Sequence, residues 1–331
     1  MIISKTPYRI SFFGGGSDYP EWFKKESNFG EVISTTIDKY VYLSIRELTP
    51  FFGYKYRFSY SKIEVTNDYK DIEHKALKGL IKHYKPNTGL EIHYAGDLPA
   101  KSGMGSSSSF SVGLLKTYNA IIDKKITTKQ LALDSINLEQ NILKEAVGCQ
   151  DQVAAAYGGF NQISFSKNGF KIKKFDIHKR YFSKLNQNFF LIYSGQQRYA
   201  HEVVNTFIKK LNSTKEKHIL KILDHVDLAK KIIANESLDD FGYLLNETWQ
   251  EKKKISPIIS NNKINEIYNL GIKSGSLGGK LLGAGNGGFI LFYVPKKNHK
   301  KFIKNFKSFI DVKFKFSDKG SEIIYNNDKN L

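Results

Sequence analysis

The chain of 331 residues holds one cysteine, Cys149, and only two methionines and two tryptophans. A single thiol excludes an intrachain disulfide and any metal site built on several cysteines. No uncharged apolar run reaches the roughly 18 residues a membrane-spanning helix requires, so no span is expected. The opening stretch 1–13 alternates like a strand and has no small-residue cleavage site behind an apolar core, which is not the form of a signal peptide. These absences point to a cytoplasmic protein. Acidic residues are also scarce: 32 Asp and Glu stand against 51 Lys and Arg, a formal charge of +19. Such an excess suits an anionic partner, whether nucleic acid, membrane surface or phosphorylated small molecule. The lysines, however, are spread from Lys5 to Lys329, with mild clusters at 252–254 and 296–301. No RNP-like aromatic pattern, zinc-finger spacing or basic helix followed by heptads accompanies them, so neither nucleic acid nor membrane is the expected partner.

What is present supports a packed protein. Hydrophobic residues make up 40% and aromatics 14%, well above the composition of disordered chains. Alternating or apolar runs predict strands over 8–13, 40–47, 62–65, 90–94, 160–165, 188–193, 288–294 and 313–316. Helices are predicted over 71–84, 106–122, 128–147, 201–211, 216–235, 261–273 and 297–309. Within 106–122, Phe110, Leu114, Tyr118 and Ile121 draw one apolar stripe. Within 128–147 the stripe is Leu131, Ser135, Leu138, Ile142 and Ala146, with Thr127 or Thr128 as the cap. The expected class is α+β, divided near residue 186 into 1–186 and 187–331.

Between a predicted strand and a predicted helix lies Asp97-Leu-Pro-Ala-Lys-Ser-Gly-Met-Gly-Ser-Ser-Ser-Ser109. Gly103 and Gly105 permit positive φ and close approach of backbone N–H groups to an anion. The helix starting near Ser106 turns its unpaired N–H groups and positive dipole end on the same place. Hydroxyls there can cap the helix or bind a phosphate-bridging Mg²⁺. No Gly-Lys-Ser/Thr closes the loop, and the third glycine of a dinucleotide fingerprint is Ser108, so neither of those motifs is present. A plain Gly/Ser turn would explain the loop on its own. The eight histidines show no paired ligand spacing, and Cys149 reads as buried packing.

The whole string resembles the second motif of the galactokinase–homoserine kinase–mevalonate kinase–phosphomevalonate kinase superfamily, in which Pro99, Gly103, Gly105, Ser106 and Ser107 match and Met104 replaces leucine. Two further motifs resemble that superfamily in order. Pro7-Tyr8-Arg9 with Asp18-Tyr19 matches its first motif, where Gly14-Gly15-Gly16 replaces Gly-Glu-His; Gly275–Gly288 matches its C-terminal glycine-rich loop. The resemblance implies a two-part fold, a domain like the second domain of ribosomal protein S5 followed by a ferredoxin-type domain, with the site between them. It implies ATP and Mg²⁺ as cofactors, with Lys101, Ser102, Gly103, Met104, Gly105, Ser106, Ser107 and Ser108 on the nucleotide. Glu139 and Ser107 would hold the metal, Glu145 being a competing candidate placed toward solvent. Arg9 would steady the transferred phosphoryl group, and Asp151 would act as base or orient the acceptor hydroxyl. Asp18, with Gly15, Gly16 and Ser17, would meet sugar hydroxyls. Arg198 and Lys280, with Gly283 and Gly285 nearby, would meet a phosphate already on the acceptor.

Within the superfamily, Thr6–Pro20, Thr35–Tyr40 and Gly278–Gly283 look similar to the D-glycero-D-manno-heptose 7-phosphate kinases. That likeness implies phosphorylation of the C1 hydroxyl of the heptose 7-phosphate to a 1,7-bisphosphate on a route to a nucleotide-activated sugar. A fucokinase-like sugar 1-kinase shares much of the pattern, and a non-catalytic ligand-binding protein on the same fold is the alternative of another class. The implied partners are ATP and a sugar phosphate; a homodimer is left open.

Overall fold

The computed structural model describes residues 1–197 and 200–327. The first half runs β1 (Ile2–Phe13), α1 (Pro20–Phe23), β2 (Gly30–Leu48), β3 (Tyr56–Ser59), β4 (Ile63–Thr66), α2 (Lys75–Tyr84), β5 (Gly89–Gly96), α3 (Ser106–Ile121), α4 (Thr128–Asn137), α5 (Gln150–Tyr157), β6 (Phe160–Ser166) and β7 (Gly169–Lys174). The second runs α6 (Lys179–Gln187), β8 (Phe189–Tyr193), α7 (Ala200–Val204), α8 (Glu216–Ala234), α9 (Leu238–Lys253), α10 (Asn262–Lys273), β9 (Gly278–Leu281), β10 (Phe289–Tyr293), α11 (His299–Asn305), β11 (Phe316–Ser317) and β12 (Glu322–Asn326).

The larger sheet has the order β12-β1-β2-β5-β3-β4, with β6 and β11 attached along β2 and β7 paired to β6. The smaller sheet is β8-β10-β9, antiparallel throughout. An α+β class therefore holds. The expected boundary at residue 186 falls at the end of α6, but the chain does not stay on the second side: β11 pairs with β2, and β12 pairs with β1.

Helix α3 explains how the large sheet is covered. A single apolar stripe was expected, yet Val112, Gly113 and Leu115 are buried along with Phe110, Leu114 and Tyr118. The helix is sandwiched between the β1–β2 hairpin and the α4–α5 layer, so no face is left polar. Gly113 lets the sheet approach closely: its carbonyl accepts the Ser4 hydroxyl at 3.2 Å, and a Cβ would lie 2.8 Å from Thr6 Oγ1. Thr127 caps α4 by accepting the Gln130 N–H at 3.1 Å. Phe12 joins the two halves, its ring packed on Phe160, Phe189 and Phe241 at centroid distances of 5.5, 5.4 and 5.3 Å.

Several elements differ from the sequence expectation. The helix over 128–147 ends at Asn137, passes into one π-helical turn (Leu138–Ile142) and is irregular to 149. The run 201–211 is helical only over Ala200–Val204 and a short 3₁₀ turn, and 313–316 reaches the sheet only at Phe316. On the other face of the sheet, Glu91 carries Arg46, Arg57 and His93 as hydrogen-bonding partners. Burial pushes its carboxyl up, but those donors outweigh it and hold it below the ordinary value. Glu91→Gln is expected to cost about 2 kcal/mol near neutrality, because the arginines lose their charged partner. Since the folded value is depressed, the wild-type advantage should shrink as pH falls through the carboxylate range. Urea unfolding of both proteins across pH checks both the size and the sign.

Candidate active site

The chain leaves β5 at Gly96 and enters α3 through 97–105. Gly103 and Gly105 have φ of +82° and +74°, a region side chains rarely adopt. At Gly105 space is limiting too: a Cβ would lie 3.2 Å from Asp151 Oδ2 and 3.3 Å from Arg9 Cγ. Gly105 is the N-cap of α3, and no side chain caps that helix. Its first N–H groups and positive dipole end are thus available to an anion. Lys101 and Ser107 are exposed and Ser106 half-buried at this start. Ser102 and Met104 instead point inward and are fully buried. The Ser102 hydroxyl donates to the Pro99 carbonyl at 2.6 Å, and the Met104 carbonyl accepts the Arg9 N–H at 3.3 Å. These two brace the loop.

Beneath the loop, Arg9 on β1 meets Asp151 in the first turn of α5. Nε donates to Oδ1 and Nη2 to Oδ2, each at 2.6 Å, and Nη1 donates to the Gly103 carbonyl at 2.9 Å. One planar fork therefore fixes both the carboxylate and the loop, which a lysine could not do. Arg9 is 4% exposed, whereas the Asp151 side chain retains 24%. The carboxylate is held from one side and open on another.

Asp18 lies next to this pair, 2% exposed. It accepts the Gly16 N–H at 3.1 Å and the Gln150 N–H at 3.3 Å, so it also caps α5. Burial pushes its carboxyl up and the Asp151 charge adds to that, while the Gly16 and Gln150 donors pull the other way. Gly148 is required here, since a Cβ would overlap the Asp18 carboxylate. Gly15 and Gly16 are half-buried. Ser17 is fully buried, its hydroxyl donating to the Gly14 and Glu31 carbonyls at 2.8 and 3.1 Å and accepting the Glu31 N–H at 3.0 Å. Its bonding capacity is used within the turn.

The C-terminal glycines pack on the phosphate loop rather than forming a second helix-start cradle. Phe289 N–H donates to the Ser102 carbonyl at 3.1 Å, and a Cβ on Gly103 would overlap the Leu282 carbonyl. Gly283 offers its carbonyl to the Lys252 ammonium, and a Cβ on Gly285 would lie 2.7 Å from the Ile259 oxygen. Lys280 is 3% exposed and donates to the Phe12 carbonyl at 2.7 Å. Burial, with Lys252 and Arg9 nearby, holds its ammonium well below the usual lysine range. Arg198 lies outside the described residues.

Glu139 is fully buried on the π-helical turn, a distortion that recurs at functional sites. Its Oε2 accepts from Ser108 at 2.9 Å and from Gln152, while Oε1 has no partner. Burial pushes the carboxyl up to about 7. The structure thus brings Ser108, not the exposed Ser107, to Glu139; Ser108 and Gln152 have no sequence signal as partners of that carboxylate beyond their proximity to the motifs. Glu145 is half-buried rather than solvent-facing. Burial pushes the Cys149 thiol up to about 12, in keeping with packing rather than reactivity. Cavities of about 230 and 300 Å³ are lined by other residues, around Glu91 and Phe302 respectively. No helix among the described residues is long and apolar enough to cross a membrane.

A helix start open to phosphate above an arginine-held, partly exposed aspartate is the arrangement of a phosphotransferase acting on a small acceptor. Comparison with known proteins gives the same class. Residues 72–159 match the model of the GHMP kinases N terminal domain. The chain is 30% identical over 318 residues to the D-glycero-alpha-D-manno-heptose 7-phosphate kinase of Campylobacter jejuni, covering 92% of both chains. It is 24% identical to the bifunctional fucokinase/GDP-fucose pyrophosphorylase of Arabidopsis thaliana, over 87% of this chain and 29% of that one. The fold is similar to the crystal structure of a D-glycero-D-manno-heptose 1-phosphate kinase from Bacteroides thetaiotaomicron, with a TM-score of 0.77 at 22% identity, covering 98% and 100% of the two chains. The chain belongs to the GHMP kinases, the superfamily of galactokinase, homoserine kinase, mevalonate kinase and phosphomevalonate kinase, and is an enzyme.

Proposed function

We propose that this enzyme transfers the γ-phosphoryl group of ATP to the anomeric C1 hydroxyl of D-glycero-α-D-manno-heptose 7-phosphate. The observation that carries the phosphotransfer reading is the fork of Arg9 on Asp151 and the Gly103 carbonyl. The triphosphate lies on the N-terminus of α3, with Gly105 allowing close approach. Arg9 stays charged and faces the transferred group, while the exposed side of Asp151 orients the acceptor hydroxyl or takes its proton. Asp18 meets a neighbouring hydroxyl. The heptose assignment is supported by the Campylobacter relative, and the cytoplasm is the compartment where its substrates would meet it.

The residues present fit Mg²⁺. Mg²⁺ is held through one or two carboxylates completed by hydroxyl, water and phosphate oxygens. Glu139, with its unpartnered Oε1, and Ser107 or Ser108 would hold it. When bound it neutralises charge on the β- and γ-phosphates. Glu139→Gln is expected to raise the Mg²⁺ concentration for half-maximal rate at least about tenfold. In metal-free protein the effect on stability is reversed. The folded carboxyl is pushed up to about 7, so wild type is stabilised at low pH and loses that as pH rises through the folded value. Glu139→Gln should then be the more stable protein near pH 8, by up to about 3 kcal/mol, and not near pH 4. Thermal melts in chelator at both pH values check it.

A coupled ADP-release assay over heptose 7-phosphate, heptose 1-phosphate, free heptose, L-fucose, galactose, mannose and mevalonate tests the substrate. Turnover of fucose and not of the heptose phosphate would replace the heptose reading with the fucokinase one.

A further inference from the structure

The face of the large sheet turned away from α3 carries a polar cavity that phosphoryl transfer does not use. Side chains along a strand alternate between the two faces. Leu43 on β2 meets α3, its Cδ1 lying 3.2 Å from where a Gly113 Cβ would be, so Ser44 and Arg46 point to the opposite side. The register sets Ser44 opposite His93 and Arg46 opposite Glu91 on β5, and Arg57 on β3 opposite the same Glu91. The cavity there has a volume of about 230 Å³ and is lined by Met1, Ser44, Arg46, Glu91 and His93.

Its charge is not balanced. Arg46 and Arg57 share the single carboxylate of Glu91, so one guanidinium charge is left over, and His93 Nε2–H donates to the same carboxylate at 2.9 Å. Glu91 forms the floor with a side chain 5% exposed, whereas that of Arg46 keeps 45%. A solute arriving from outside therefore meets the cation before the carboxylate. The bonds to Glu91 engage Nε and Nη2 of Arg46 and Nη1 of Arg57. A guanidinium has five N–H donors, so each arginine keeps donors for a second acceptor. The Phe52 ring, 5.1 Å from Arg46 Cζ, steadies that side chain from the other side. A planar fork of donors suits a tetrahedral oxyanion with several acceptor oxygens. Sites for drug-sized ligands span roughly 300–1,000 Å³, so this cavity admits a phosphate group and excludes a nucleotide.

We propose that the cavity over Glu91 is a second anion site, separate from the N-terminus of α3, which binds inorganic phosphate or the phosphate of a small phosphomonoester. Arg46 and the Ser44 hydroxyl hold the oxygens, and Arg57 adds charge from the neighbouring strand. The ligand completes the neutralisation that Glu91 alone leaves unfinished. It also ties β2 to β5, the strand that runs into the loop before α3. Only the folded sheet assembles these groups, so occupancy stabilises the native protein.

Thermal melts and titration calorimetry of the full chain test this at constant ionic strength, with chloride exchanged for phosphate. A saturating non-hydrolysable ATP analogue with Mg²⁺ occupies the catalytic site throughout. Inorganic phosphate should raise the wild-type melting temperature saturably. Arg46→Gln is expected to weaken phosphate binding at least about tenfold, and Arg46→Lys, which keeps the charge without the fork, about threefold. Turnover and KM for ATP should be unchanged in both. Ser44→Asp sets a carboxylate in the cavity and should abolish the response to phosphate in a folded protein. Glycerol phosphate runs in parallel: tighter binding than inorganic phosphate identifies a phosphomonoester as the occupant, and equal or weaker binding the free ion. Wild type that neither anion stabilises would overturn the site, as would Arg46→Gln and Ser44→Asp keeping phosphate affinity within twofold.

Discussion

Asp151→Ala should lower turnover by about three orders of magnitude, within the range for removing a positioned acid–base group. The geometry makes this specific. Both Asp151 oxygens are aligned by the Arg9 fork at 2.6 Å, and the carboxylate keeps an open face beside the loop before α3. Nucleotide affinity should not fall with it. The α3 N-terminus is built from backbone and keeps its shape, and Arg9, freed from its carboxylate, gains capacity for phosphate. Binding of a non-hydrolysable ATP analogue should therefore be equal to wild type or tighter. Turnover within tenfold of wild type would reject Asp151 as the acceptor-side group.

Gly288→Ala is expected to cost at least about 3 kcal/mol and to abolish activity. Gly288 has φ +105°, and a Cβ there would overlap the Ser102 carbonyl oxygen and carbon. Strain in a left-handed residue accounts for about 1–2 kcal/mol, and separating two packed backbones adds the rest. The displaced partner is the phosphate loop itself, since Ser102 also accepts the Phe289 N–H at 3.1 Å. Gly53→Ala is the control. Its φ is +67°, with no atom within 4 Å of the added Cβ, so it should show the strain alone. Urea denaturation separates the two; equal losses would mean the loops do not touch as described.

The glycine loop before α3 was legible in sequence because glycine spacing and a helix start are local. Arg9 and Asp151 were legible only through resemblance: they are 142 positions apart, and nothing in either segment announces the other. The role of Gly148 in admitting Asp18 was invisible for the same reason. Helix α9 is absent from the sequence expectation although it carries an apolar stripe, and Gly242 within it lowers helix propensity. That glycine is there to let Tyr293 pack against the helix, where a Cβ would overlap the ring. Phe241, Leu244, Leu245 and Trp249 carried the periodic signal, and Ser237 bonds Asp240 at 2.6 Å near its start. The extension of β2 back to Gly30 was hidden by buried Ser34, Thr35 and Thr36, polar residues that sequence patterning scores as exposed.

The strand that carries Arg9 has its outer neighbour far along the sequence: Ile2 is opposite Asn326 and Lys5 opposite Glu322. Synthesis on the ribosome thus produces the loop before α3, the carboxylates and the aromatic cluster around Phe12 long before that sheet edge is covered. A fragment stopped near residue 186 would present β1 as a bare ladder of backbone groups, open to pairing with other chains. Catalytic competence should consequently arrive late, once the segment 322–326 has emerged, and not when the first half does.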